Sequence, residues 1–220
     1  YTGTAEEVAA GAGNTTRGSV AYVGKDYTVK MIQQAFDYLD EDFMKDPNVV
    51  EMGVQGATQV MANKMTTDFY AALADKGSGS TELVHGITFA KGKALSYDVI
   101  VDAISELNVE DESKIFIVIP NAWKAALRKD ADYKSAMMGE VVYNGQVGTI
   151  CGIPVIATKA LTDKAYVMTN EAVTLFLKKD VEVEQDRDSD KRKNMIYLRD
   201  CYVCALTDAT KACKITEAAS

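Results

Sequence analysis

The sequence predicts a mixed α/β (α+β) fold with one long helix and at least one central sheet, and three observations carry that expectation. Apolar residues recur at three- or four-residue steps from Val50 to Leu73. Helical and strand patterns alternate through the middle third of the chain. A late run, "VEVEQDRDSDKRKNMIYLRDCYVCAL", reads as two strands joined by a charged turn. With 220 residues, 47% apolar and 25% charged, the chain can bury a substantial core in one or two domains.

The strongest periodic signal places Val50, Val54, Ala57, Met61, Met65, Phe69 and Leu73 on one face of a helix over about residues 47–76. Asp46, Pro47 and Asn48 are helix-start residues, and Gly77 ends the run. At about 1.5 Å per residue such a helix reaches on the order of 40 Å, long for a compact domain. Gly53 and Gly56 inside it each cost about 1 kcal/mol relative to alanine unless another backbone packs close. Met61 and Met65 read as core filling. Upstream, the glycine-rich, polar residues 1–20 have too little apolar surface to fold alone, and "AYVGKDYTVKM" has the period of a half-exposed strand. Residues 1–30 are therefore expected as a projecting ribbon. "QQAFDYLDEDFMKDP" follows as a short helical or mixed connection ending at Pro47.

In the middle third, Ser96 is placed to cap a helix with Tyr97, Ile100, Ile104 and Leu107 on one face. "KIFIVIP" reads as a buried strand, and Pro120 and Asn121 open "NAWKAALRKD", with Trp123, Ala126 and Leu127 toward the core. Glycine-punctuated strands in "VYNGQVGTICGIPVIATKAL" come next, then "AYVMT" and "VTLFLKK".

The motifs that would carry chemistry fail on spacing. Gly145, Gly148 and Gly152 run G-x-x-G-x-x-x-G, not the G-x-G-x-x-G that lets backbone approach a pyrophosphate. "GKAL" and "GKDY" lack both the upstream glycine and the hydroxyl residue of a P-loop. Asp186, Asp188 and Asp190 open like a calcium loop, but Lys191 and Tyr197 stand where glycine and glutamate are needed, leaving a solvated charged turn. Cys201 and Cys204 form a lone C-x-x-C within a strand pattern; with Cys151 and Cys213 they read as buried or half-buried thiols, not a zinc site. The single histidine, His85, falls in a Gly-bounded loop with no nucleophile elbow to serve. A formal charge of −8 and a pI near 4.8 disfavour tight nucleic-acid binding. No apolar run approaches the roughly 20 residues of a membrane span, and no signal region opens the chain, so a soluble cytoplasmic product is expected.

The order "VIPNAWKAALRKD", "GTICGIPVIATKAL" and "AYVMTNEAVTLFLKKDVEVEQDRDSDKRKNMIYLRDCYVCAL" closely resembles the C-terminal half of tailed-bacteriophage major capsid proteins of the Hong Kong 97-type coat fold, over roughly residues 30–217. Gly148, Gly152, Pro154 and Val155 match that family's turn-and-strand element, so these glycines read as sheet and turn geometry. The resemblance implies an extended loop at 1–30, truncated here. It implies a peripheral domain at 31–95 and 178–205 around the long helix as spine, and an axial domain at 96–177 and 206–217. An N-terminal arm and a scaffolding segment are expected upstream of Tyr1. One family member joins subunits by an isopeptide bond between a loop lysine and a strand asparagine, with a glutamate as base. Lys25 and Asn194 resemble that pair, but Cys201 stands at the glutamate's position, so no crosslink is expected.

The implied function is a structural coat protein, not an enzyme and without a cofactor or metal. It would assemble into pentamers and hexamers of an icosahedral head around double-stranded DNA, in the host cytoplasm and then in the virion. Its implied partners are itself, a scaffolding protein, portal and prohead protease, with DNA held without sequence preference and no membrane. An encapsulin-like cargo shell is the runner-up, and a small-molecule α/β enzyme the third reading.

Overall fold

The computed structural model describes residues 18–20, 26–77, 79–107, 109, 111–129 and 148–218; Lys25, Gly145 and most of the expected 1–30 ribbon lie outside them. Strand β1 (Lys30–Leu39) leads directly into a short helix α1 (Asp40–Lys45) and then the spine helix α2 (Val49–Leu73). The expected helical or mixed connection at 33–47 is therefore strand first and helix only from Asp40. Ile32, Gln34, Phe36 and Tyr38 point alternately inward, a period of two that Gln34 conceals in the sequence. At the start of α2 the Asp46 carboxylate accepts from the Asn48 N–H at 3.0 Å, which fixes the turn around Pro47.

Two sheets share the chain. The smaller has the order β1-β8-β7, where β7 (Val173–Asp188) and β8 (Lys193–Leu206) are the two long antiparallel strands joined by the expected charged turn. In that turn the Asp188 carboxylate accepts from the N–H groups of Asp190 and Lys191 at 3.1 and 3.2 Å, a turn-closing role for an aspartate of the D-x-D-x-D run. Two register shifts between Leu177 and Glu182 put two extra residues into β7, which runs 16 residues against 14 in β8.

Spine helix α2 lies on β1 and β8, leaving β7 largely uncovered. Ala57 and Met61 pack there with Ile196, Leu198, Ile32 and Phe36. Val54, expected on the buried face, is exposed; the neighbouring Gly53 faces the sheet instead. A Cβ at Gly53 would lie 2.3 Å from Phe36 Cε2, far inside contact distance, so the missing side chain is what lets helix and strand approach, whereas Gly56 has open space around it.

The larger sheet has the order β2-β9-β6-β3-β5-β4. Its strands are β2 (His85–Phe89), β3 (Ile115–Pro120), β4 (Thr149–Ile150), β5 (Ile153–Thr158), β6 (Lys164–Thr169) and β9 (Ala212–Glu217). One face carries Ile117, Ile119, Val167 and Ile215 against helix α3 (Tyr97–Glu106) and helix α4 (Lys124–Lys129), where Ile100, Ile104 and Leu127 are buried. The other face presents Val118, Tyr166, Met168 and Ala212 to Leu73 at the end of the spine. Cover on both faces explains why β3 is apolar throughout. Ser96 occupies the cap position of α3 but makes no side-chain capping bond. His85 is the first residue of β2, paired in parallel with Cys213, not a loop residue. Strand β2 belongs to the larger sheet, while residues 173–177 run in β7 of the smaller one.

Between β4 and β5 the chain reverses in two residues, Cys151 (φ 52°) and Gly152 (φ 80°). Both lie in the left-handed region, the signature of a type I′ hairpin turn. Cys151 is exposed there, against the expectation of a buried or half-buried thiol.

Two stability outcomes follow from these backbones. Gly152→Val should lower stability by roughly 1 to 3 kcal/mol, and Gly152→Asn should restore much of the loss, because asparagine tolerates this conformation and nothing crowds the site. Gly53→Val should lower it by about 1 to 3 kcal/mol through the clash with Phe36, while Gly56→Ala should raise it by roughly 0.5 to 1 kcal/mol. Denaturant melts of the four variants check both; equal effects at positions 53 and 56 would contradict the close-packing account.

Candidate functional site

The residues singled out for chemistry do not converge. Cys201 pairs with Met31 and Lys179 on the outer face of the small sheet, and Cys204 lies on the partly covered face opposite Leu175. Cys213 is buried in the larger sheet, where burial pushes its thiol up to about 11, and all four cysteines are free. His85 Nδ1 lies 3.2 Å from Glu106 Oε1 at an exposed edge. Among the described residues no three metal-ligating side chains come together.

Asn194 has a structural partner. It is buried, and its Nδ2 donates to Asp40 Oδ1 at 2.7 Å, while Asp40 Oδ2 accepts from Arg187 Nη2 at 2.8 Å. The Asp40 N–H donates to the Arg192 carbonyl at 3.0 Å, Arg192 pairs with Glu41 at 2.9 Å, and Lys193 pairs with Asp37. Together these bonds fasten the β7–β8 turn to the start of α1. Cys201, an odd number of residues along β8, points to the opposite face from Asn194. Asp200 shares Asn194's face; it is 3% exposed and its Oδ1 has no hydrogen-bond partner among the described residues.

The surfaces are more informative than any cleft. Strand β7 is an edge of the small sheet, and Leu175, Phe176, Leu177, Val181 and Val183 stand exposed along it. A long, partly apolar edge of this kind is a template for association. Its outer face is held by a hydrogen bond and two ion pairs: Arg199 donates to the Gln33 amide oxygen at 2.8 Å and to Glu184 at 2.5 Å, and Lys179 binds Glu182 at 2.6 Å. Sequence reasoning identified the strands but not which would lie at the edges among the described residues, since pairing order has no local signature.

Two half-buried carboxylate ties hold the surfaces in place. Between α2 and β8, Lys64 and the Tyr202 hydroxyl donate to Asp68 at 2.7 and 2.8 Å. Burial pushes Asp68 up, but the bonds from Lys64 and Tyr202 outweigh it and hold the carboxyl below its ordinary value. In the loop before β2, Glu82 receives Lys214 at 2.6 Å with Lys164 at 3.7 Å, and the Lys214 bond holds it below its ordinary value. A depressed carboxylate contributes stability above its unfolded value and loses it as pH falls through the folded one. Glu82→Gln should therefore melt below the wild type at pH 7, with the difference vanishing as pH falls below the ordinary carboxylate range; a pH series of melting temperatures tests it, and a difference that persists in acid would contradict the tie.

No curated protein sequence matches the chain. Among solved structures it is similar to a chain of Mycobacterium phage Che8, at 18% identity and a TM-score of 0.68, over 84% of this chain and 70% of that one. It is similar to the capsid of the cyanophage P-SCSP1u, at 13% identity and a TM-score of 0.70, over 96% and 82%. The holo-SrpI encapsulin complex of Synechococcus elongatus matches at 11% identity and a TM-score of 0.61, over 86% and 74%. These likenesses establish the Hong Kong 97-type fold. The sequence profile of a family described as phage capsid protein matches residues 22–215, nearly the whole chain, and the chain belongs to that family of structural capsid proteins.

Proposed function

We propose that copies of this chain form pentameric and hexameric rings that close an icosahedral phage head around double-stranded DNA. The observation that carries the reading is the match to the capsid family across both sheets. The exposed apolar edge of β7 supports it, because such an edge suits a subunit that is buried by its neighbours. On this reading the small sheet and spine helix make the peripheral domain, the larger sheet makes the axial domain, and residues 1–30 belong to the extended loop. The charge of −8 suits a wall that contains DNA without gripping it. A scaffolding protein, portal and prohead protease are the expected assembly partners, in the host cytoplasm before the particle matures. Gly148, Gly152 and Pro154 serve as a structural turn, supported by the type I′ geometry at 151–152. The role is structural, without a catalytic step.

A second reading, an encapsulin-like shell around protein cargo, is favoured by the likeness to the encapsulin complex. Particles purified from cells expressing the complete gene product with its neighbouring genes separate the two. Nuclease-protected double-stranded DNA supports the phage head, co-purifying enzyme cargo supports the compartment, and the absence of any shell on electron micrographs contradicts both. The same particles, boiled in detergent and reductant, should run as single subunits, since Cys201 stands in place of the carboxylate base and points to the face opposite Asn194. A ladder of covalent multimers with an isopeptide between Lys25 and Asn194 would overturn that expectation.

A further inference from the structure

The stretch "AYVGKDYTVKM" has the pattern of a half-exposed strand, yet β1 begins only at Lys30, and residues 26–29 belong to no helix or strand. The strand that could receive them runs further than β1 does. The β1–β8 ladder ends at the pair Lys30–Tyr202, while β8 continues past Cys204 to Leu206, paired along that stretch with β7 on its other side. Beyond Tyr202, β1 offers β8 no further partner.

Two backbone bonds fix which way β8 turns its polar groups. The Thr207 N–H donates to the Ala172 carbonyl at 2.9 Å, on the β7 side, and at the far end the Asp40 N–H donates to the Arg192 carbonyl at 3.0 Å, on the β1 side. Residues of an antiparallel strand alternate between the two sides. The even-numbered residues of β8, Cys204 among them, therefore point N–H and C=O toward β1. Continuing the register past Lys30–Tyr202 sets Val29 opposite Val203, Thr28 opposite Cys204 and Tyr27 opposite Ala205. Thr28 and Cys204 would exchange two backbone hydrogen bonds, and tyrosine, threonine and valine all favour strands. A hollow of about 250 Å³, lined by Tyr27, Lys30, Ala72, Cys204 and Ala205 among others, leaves room beside this stretch.

Tyr27 is held elsewhere. Its ring stacks on Phe176 of β7 with centroids 5.9 Å apart, and its hydroxyl donates to the Leu206 carbonyl at 3.2 Å. Phe176 stands opposite Val203, across β8 from the side where β1 runs. The stack therefore draws Tyr27 off the line of the ladder.

We propose that β1 has two lengths, a short one that begins at Lys30 and a long one in which residues 27–29 pair with residues 203–205, and that Tyr27, seated on Phe176 and Leu206, is the catch that holds the short form. Both forms belong to the single chain and do not depend on the coat reading.

Hydrogen exchange read at the Thr28 and Cys204 amides of the 220-residue chain tests the catch. Tyr27→Val removes the ring and the hydroxyl but keeps a strand-forming residue. Only the long form ties these two amides together, so exchange at both should slow by roughly tenfold or more in the variant. Were Tyr27 merely an anchor, the same substitution would loosen the segment and speed exchange at Thr28; faster or unchanged exchange overturns the proposal. Adding Thr28→Pro supplies the second arm. Proline has no N–H to offer β8 and cannot sit in the ladder there, so Cys204 should return to its wild-type rate. Protection of Cys204 that survives the proline would mean that something other than residues 27–29 covers it, and would equally overturn the proposal.

Discussion

Burial of one leucine, Leu73 at the last turn of the spine helix, ties the two halves of the structure together. It is inaccessible to solvent and packs in a cluster that draws Val118, Tyr166, Met168 and Ala212 from the larger sheet and Val173 and Leu206 from the small one. Removing a side chain of this kind typically costs about 2 to 5 kcal/mol. The cost here would fall on the joint itself, because the spine helix, both long strands and the second face of the larger sheet all meet at this cluster. The larger sheet has a second core of its own under α3 and α4. By contrast, the small sheet rests on the narrow strip around Ala57 and Met61, which depends on Gly53 to bring helix and strand together.

The polar ties act where that strip gives out. Along α2 the apolar contacts at Ala57 and Met61 yield to Lys64 and Asp68, bonded to Tyr202 of β8, before Leu73 resumes the core. A carboxylate with two donors can sit at such a place because its hydrogen-bonding capacity is largely met. Asp200, two residues from Tyr202 on the same face, lacks a donor for one oxygen, and an unpaired acceptor in a buried position is costly. At the far end, Asp40 and Asn194 do for the β7–β8 turn what Leu73 does for the joint, with directional bonds in place of burial.

Much of this was legible in the sequence. The spine helix, the buried strand at "KIFIVIP", the two long strands and the turn at Gly152 follow from periodicity and glycine position, which are local signals. What was not legible depends on which element lies beside which. Residues 33–39 form a strand because they pair with β8, although Gln34 stands where an apolar residue would have shown the alternation. His85 opens a strand only because β9, far along the chain, lies beside it. Val54 has the correct spacing for the buried stripe yet is exposed, because Gly53 rather than a larger neighbour marks the line of closest approach. The groove of about 640 Å³ between β1, α1 and the first turns of α2 was not legible either. It is formed by three elements, and Gly53, one of its lining residues beside Phe36, has no side chain to reveal it.

The long hairpin has a mechanical consequence. Strand β8 rises about 3.3 Å per residue over its 14 residues, so the bonded tip stands on the order of 45 Å from the joint. A helix lies along β8 and β1 on one face of the sheet. This is a cantilever: a rotation of about 5° at the Leu73 cluster moves the tip by roughly 4 Å at that arm length. Slight repacking at that one point would therefore be magnified at the far end of the hairpin, where the angle of the tip to the larger sheet is set.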